Sequence, residues 1–174
     1  MLHLKKGFTL IELLIVIALL GALAVGLLAA LDPFEQLKKG TDTGIRNMAS
    51  EVHGATVRYY ALRSIMPWCT DATCADTQPS GNNLSSGVMS SAITNIIAAG
   101  ELKSNFTQLA GNNVGKIFVT GDAATSTVKV CFLPTAKSFK CDPNTKYDRY
   151  GALDPACGLA TTCGSLNTCY WCVQ

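Results

Sequence analysis

The stretch Lys5-Lys6-Gly7-Phe8-Thr9-Leu10-Ile11-Glu12-Leu13-Leu14 opens an apolar run that continues to Leu31, and its reading decides the fold. Residues 13–31 carry no charged or polar side chain, and residues 8–31 are interrupted only by Thr9 and Glu12. At ~1.5 Å per residue, a helix over residues 8–31 reaches about 36 Å, enough to cross a hydrocarbon layer of about 30 Å. Lys5 and Lys6 in front of it favour a cytoplasmic N-terminus and send everything after Leu31 outward.

Two ordinary readings of this segment compete. One is a cleaved secretory signal, with Lys5 and Lys6 as its basic region and Ala22-Leu23-Ala24 as a small-x-small cleavage site. The other is an uncleaved membrane anchor. Glu12 argues against both, because a carboxylate inside an apolar helix costs roughly 2.5–3.5 kcal/mol on insertion scales and asks for a partner. A discarded signal gains nothing from such a residue. A structural explanation, with Glu12 near the interface and reaching toward water, competes with a functional one.

The same residues resemble the N-terminus of type IV prepilins and type II pseudopilins: a short basic leader, Gly7-Phe8, a glutamate five residues into the mature chain and a long apolar helix. The resemblance implies that a membrane prepilin peptidase cuts after Gly7 and methylates the new amine of Phe8. It also implies that Glu12 pairs with the N-terminal amine of a neighbouring subunit during assembly. An N-methylated amine stays cationic and can offer a carboxylate a charge-assisted hydrogen bond. A buried carboxylate is penalised when unpaired, so the arrangement selects a stagger between helices more than it adds raw stability. Gly21 and Gly26 lie five apart and make no small-xxx-small pattern; either permits close packing or weakens the helix by about 1 kcal/mol.

Asp32-Pro33 marks the next boundary, with Asp as a preferred N-cap and Pro tolerated at the first helical position. Beyond it Phe34, Leu37, Thr41, Ile45, Met48, Val52, Ala55 and Tyr59 recur at spacings of three and four, which predicts an amphipathic helix ending near Arg63 before Pro67. Lys38, Lys39, Asp42, Arg46 and Arg58 are expected on its polar face, and Gly40 and Gly44 weaken its first half.

From Met66 the composition shifts to Ser, Thr, Asn, Gly and Cys. Cys69-Thr70-Asp71-Ala72-Thr73-Cys74 reads as a small disulfide loop, and residues 76–83 read as turns. Ser85 or Ser86 can cap a shorter helix through Ile97, stopped at Gly100. Residues 116–120 and 127–133 alternate as two strands around Gly121-Asp122. The chain from Cys141 onward shows little periodicity and is expected to depend on cross-links in place of core.

The eight cysteines, Cys69, Cys74, Cys131, Cys141, Cys157, Cys163, Cys169 and Cys172, all follow the apolar segment. An even number in a segment placed outside the cytoplasm reads as a disulfide framework whose connectivity stays open. Cys169-Tyr170-Trp171-Cys172 has the spacing of a redox dithiol or half a zinc site, but no helix follows it within the sequence. The only histidines are His3 and His53, which weakens zinc. Asp142, Asn144 and Asp148 alternate like part of a calcium loop, and major pseudopilins sometimes carry calcium near their C-terminal end. The glycine and distal glutamate of an EF-hand are missing, and Asx turns around Pro143 explain the same residues. No cofactor is expected. Tyr59, Tyr60, Trp68, Tyr147, Tyr150, Tyr170 and Trp171 are candidates for a stacking surface or, more ordinarily, core anchors.

The 174 residues are 48% hydrophobic and 15% charged, against roughly a quarter charged in a typical soluble domain, which excludes disorder and a simple cytosolic domain. The net charge of +2 comes from 14 Lys and Arg against 12 Asp and Glu. Without Lys5 and Lys6 the two counts are equal, so there is no general signal for nucleic acid.

The expected fold class is α+β: a long kinked N-terminal helix as membrane and polymerisation stem, and a small disulfide-rich head with a short antiparallel sheet. The expected parts are a leader over 1–7, a transmembrane and polymerisation helix over 8–31, its amphipathic continuation over 32–63 and a cysteine-rich head over 64–174. The resemblance implies a non-enzymatic pilin in a homo-oligomeric helical filament, made with prepilin peptidase and a membrane assembly machinery, with roles in adhesion, motility or DNA uptake. It implies a single-pass precursor in the cytoplasmic membrane, then an extracellular or periplasm-spanning filament. A pseudopilin of a secretion or competence system, a monomeric membrane-anchored binding module and a thiol oxidoreductase are the alternatives.

Overall fold

The computed structural model describes residues 7–30, 32–157 and 168–174. The chain divides into two compact units, Met1–Leu37 and Lys38–Gln174. In the first unit, helix α1 spans Leu10–Ala30 and is long and apolar enough over Leu10–Leu28 to cross a membrane, with none of that window buried by the rest of the chain. Helix α2 spans Pro33–Arg63 and begins as the sequence predicts. The Asp32 carboxylate accepts the backbone N–H groups of Phe34 at 3.2 Å and Glu35 at 3.3 Å, and Pro33 fills the first helical position, where no N–H is needed.

The second unit begins on α2 and continues through strand β1 (Asn82–Asn83), helix α3 (Gly87–Ala98), helix α4 (Phe106–Ala110), a 3-10 turn (Gly111–Lys116), strands β2 (Ile117–Asp122) and β3 (Thr127–Phe132), helix α5 (Lys137–Lys140), and strands β4 (Thr145–Tyr147) and β5 (Tyr170–Val173). The strands form one antiparallel sheet in the order β1-β2-β3-β5-β4. Register aligns Ile117, Phe132 and Trp171 on one face and Phe118, Cys131 and Cys172 on the other. The first face joins Val119 and Val130 in a core shared with Ile45, Ala49, Val52, Ala55 and Tyr59 of α2 and Met89, Ala92, Ile93 and Ile96 of α3. A sheet with one dry face thus rests on two helices, the standard way to bury an amphipathic stripe.

Four expectations need correction. The buried stripe of α2 is Asp42, Ile45, Ala49, Val52, Ala55, Thr56 and Tyr59, so Asp42 lies in the core and not on the polar face. Phe34 and Leu37, expected on the apolar face, are 72% and 69% exposed. The β2–β3 connection lies at Ala123–Ser126, because pairing continues through Gly121 and Asp122 to Val128 and Thr127. The turn-like region yields β1, and the C-terminal region, expected to lack periodicity, supplies the edge strand β4 and the inner strand β5 between β3 and β4. Ser86 does occupy the N-cap position of α3, but its side chain makes no capping bond.

One close approach explains a glycine. A Cβ at Gly121 would overlap the ring of Trp68, so only glycine lets the loop carrying Trp68 lie against β2.

Candidate functional site

The start of α1 is a reciprocal cap. Thr9 donates its backbone N–H and its hydroxyl to Glu12 Oε2, each at 2.8 Å, and Glu12 returns its N–H to Thr9 Oγ1 at 3.3 Å. Thr9 is therefore the N-cap and Glu12 the third helical residue of a capping box, which satisfies amides that have no partner in the first turn. The pattern Thr-x-x-Glu ahead of an apolar run is the signal that marks Thr9, a residue the sequence reading passed over. Gly7 and Phe8 precede the cap in an exposed segment outside the helix, and Phe8 is 84% exposed. Gly7 and Phe8 lie three and two residues ahead of α1, and Glu12 is the third residue of that helix. Glu12 Oε2 holds both Thr9 donors, whereas Oε1 has no acceptor role among the described residues. Chemically, the arrangement is a carboxylate held at a helix N-terminus with one oxygen available to a cation. Lys5 and Lys6 lie outside the described residues.

The cysteines sort into cross-links that hold the head. Cys69–Cys74 closes the expected loop, Cys131–Cys172 bridges facing positions of β3 and β5, and Cys157–Cys169 ties the segment after β4 to the start of β5. Cys141 is also disulfide-bonded, and Cys163 lies outside the described residues. Cys169 and Cys172 thus pair with different partners, which is the arrangement of structural cysteines and not of a redox dithiol.

Asp142 Oδ1 accepts the N–H of Asn144 at 2.8 Å, and Asp148 Oδ1 accepts those of Tyr150 and Ala152 at 2.8 Å, so both acids close turns. Among the described residues no group of three His, Cys, Asp or Glu side chains is placed to hold a metal. The Asp71 and Asp122 carboxyls sit below the usual range because hydroxyls and amides of Thr73 and Thr125 donate to them. Burial pushes the His53 imidazole down, opposed by the Val128 backbone.

Asp42 is the other residue missed from sequence. Its carboxylate, fully buried on α2, accepts Thr135 N–H at 2.8 Å, Thr135 hydroxyl at 2.9 Å and Ala136 N–H at 2.7 Å. It fastens the segment between β3 and α5 to the helix. The buried positions 42, 45, 49, 52, 56 and 59 alternate spacings of three and four, a phase that shares Ile45, Val52 and Tyr59 with the expected stripe.

Comparison with known proteins bears on the same segment. Residues 2–28 match the prokaryotic N-terminal methylation motif. The chain is 34% identical over 100 residues to the fimbrial protein EcpC of Eikenella corrodens, a match covering 58% of this chain and 64% of that protein. No solved structure matches. The motif lies within the N-terminal segment that carries Gly7, Phe8 and Glu12, and the chain spans less than two thirds of the length of the fimbrial relative it matches.

Proposed function

We propose that the chain is a structural subunit of a type IV pilus-like surface filament. It is inserted with residues 1–7 on the cytoplasmic side, cut between Gly7 and Phe8 by prepilin peptidase, methylated on the Phe8 amine and polymerised through α1. The observation that carries this reading is Glu12, a carboxylate with an available oxygen at the start of an apolar helix that nothing among the described residues covers. In water the helix would be insoluble, and in lipid the carboxylate would lack a countercharge; in a bundle of identical helices the neighbours' apolar side chains cover the helix and a neighbour's Phe8 amine supplies the countercharge. The role is structural, and the chain is the substrate of an enzyme.

Mass spectrometry of the mature N-terminus tests the processing step. The expected species begins with N-methyl-Phe8; a chain beginning at Met1, or after Ala24, overturns the reading. Electron microscopy with the subunit labelled tests the filament, and label confined to the membrane of cells that bear filaments would count against it.

A further inference from the structure

The outer face of the sheet carries a cation held ready for an anion. Arg149, exposed in the segment after β4, lies with its guanidinium 5.7 Å from the centre of the Phe118 ring and 5.2 Å from that of Tyr150. Its Nη2 donates to the Tyr150 hydroxyl at 3.1 Å, which holds the guanidinium in its charged form. Phe118 in turn meets the edge of Tyr170 with ring centres 5.7 Å apart. Arg149 has no carboxylate partner among the described residues. Asp148, its neighbour in sequence, has one carboxylate oxygen turned to the Tyr150 and Ala152 amides.

The patch is built rather than fortuitous. Gly81 has φ +62°, and a Cβ there would lie 2.9 Å from the Tyr150 ring and 3.2 Å from Arg149 Nε, so glycine is what admits both side chains. Behind it Lys129 Nζ holds the Gly151 carbonyl at 3.1 Å, and the Cys131–Cys172 cross-link fixes β3 to β5 under the loop.

Planar guanidinium donors already braced on rings lose little freedom on meeting a carboxylate and can take it in a two-pronged bond. Tyr150, 45% exposed, leaves an apolar ring beside that bond. Arg149 stands next to Asp148 in a chain whose charges from Phe8 onward balance, so a polyanion finds no run of cations here. A ligand with one localised negative charge and an apolar face fits better. We propose that Arg149, Tyr150, Phe118 and Tyr170 form a binding site for an acidic sugar residue, with Arg149 taking its carboxylate and Tyr150 covering its C–H face.

The test titrates the detergent-solubilised full chain with galacturonic acid, its methyl ester and a twelve-nucleotide single-stranded DNA. No filament is needed, so the result is independent of the assembly reading. Expected are saturable binding of the acid, at least tenfold weaker binding of the ester, and at least tenfold loss in Arg149→Gln with a smaller loss in Arg149→Lys. Arg58→Gln serves as a surface-charge control and should bind as the parent does. Absence of saturable binding, equal binding of the ester, indifference to Arg149→Gln, or tighter binding of the DNA overturns the proposal.

Discussion

The apolar helix α1 and the head solve the same problem in opposite ways. The head buries its apolar residues against one another: Val52 of α2, Met89 and Ile96 of α3 and Val119, Val130 and Phe132 of the sheet are wholly enclosed. Helix α1 buries none of its membrane-length window, and its one polar device is the cap between Thr9 and Glu12. The head has a core of its own, and cross-links add to it. Among the described residues nothing buries the membrane-length window of α1, and its carboxylate is held only by Thr9. A region that satisfies itself points to stability, and a region that leaves its needs open points to function.

The sharpest way to break this comparison is Glu12→Ala. If the two regions are independent, the variant inserts into the membrane and folds its head as the parent does, yet loses incorporation into filaments by more than tenfold, measured on sheared filament fractions. Equal incorporation would remove Glu12 from assembly. The next largest effect lies in the head. Replacing Cys131 and Cys172 together by Ser opens a cross-link between residues 41 apart and should cost about 4 kcal/mol of head stability by loop entropy, against about 2 kcal/mol for the Cys69–Cys74 loop, separated by 5. Denaturant titration of the full chain in detergent reads both. Insertion of α1 should be unchanged in either variant, which sharpens the division.

The two regions also differ in how much of them could be read from sequence. The start of α1 follows from Thr9 and Glu12 and the break at Asp32-Pro33 from a cap and a proline, because helix signals are local. The phase of α2 was misread because Thr41, Met48 and Asp42 are compatible with two stripes that share Ile45, Val52 and Tyr59. Only the donors at Thr135 and Ala136, far along the chain, decide that Asp42 goes inside. Strand β5 was hidden for the same reason. Cys169 to Cys172 read locally as a CxxC motif, and Tyr170–Val173 become an inner strand through β3 and β4, which lie well before them in the sequence. The motif around Gly7, Phe8 and Glu12 can be read from sequence because its residues are contiguous, while the Arg149 patch cannot, since Gly81, Phe118, Arg149 and Tyr170 meet only in the fold.

Asp42→Ala tests whether α2 belongs to the head through that carboxylate. Three donors would lose their acceptor, two of them backbone amides, and the expected loss is about 3 kcal/mol of head stability with no change in membrane insertion. Asp42→Asn should recover only part, because one of its side-chain atoms becomes a donor facing donors. A loss below about 1 kcal/mol would mean that the latch holds nothing the core does not already hold. A smaller effect is expected at the other tie from α2. Arg58 pairs with Glu101 through Nε at 2.6 Å and also donates to the Glu101 carbonyl at 3.0 Å, but the pair is open to water on the Arg58 side. Arg58→Met should cost about 1 kcal/mol or less, and less again in high salt.

The smallest effect concerns His53, half-buried on α2 beside Val128 of β3. Burial lowers its pKa in the folded chain below the ordinary 6.5. The unfolded chain therefore binds a proton more readily between the folded and unfolded values. The stability linked to His53 is complete above about pH 6.5 and declines as the pH falls through that window. Melting of the full chain in detergent at pH 7.5 and pH 5 should show a small drop at the lower pH, and His53→Gln should remove that part of it. Carboxylates at Asp71 and Asp122, also held below their usual range, begin to contribute only at more acid pH, near and below about 4. A drop between pH 7.5 and 5 that survives His53→Gln would assign the titration to another group. An increase in stability at pH 5 would mean that the folded head favours the imidazolium, with the Val128 carbonyl outweighing burial.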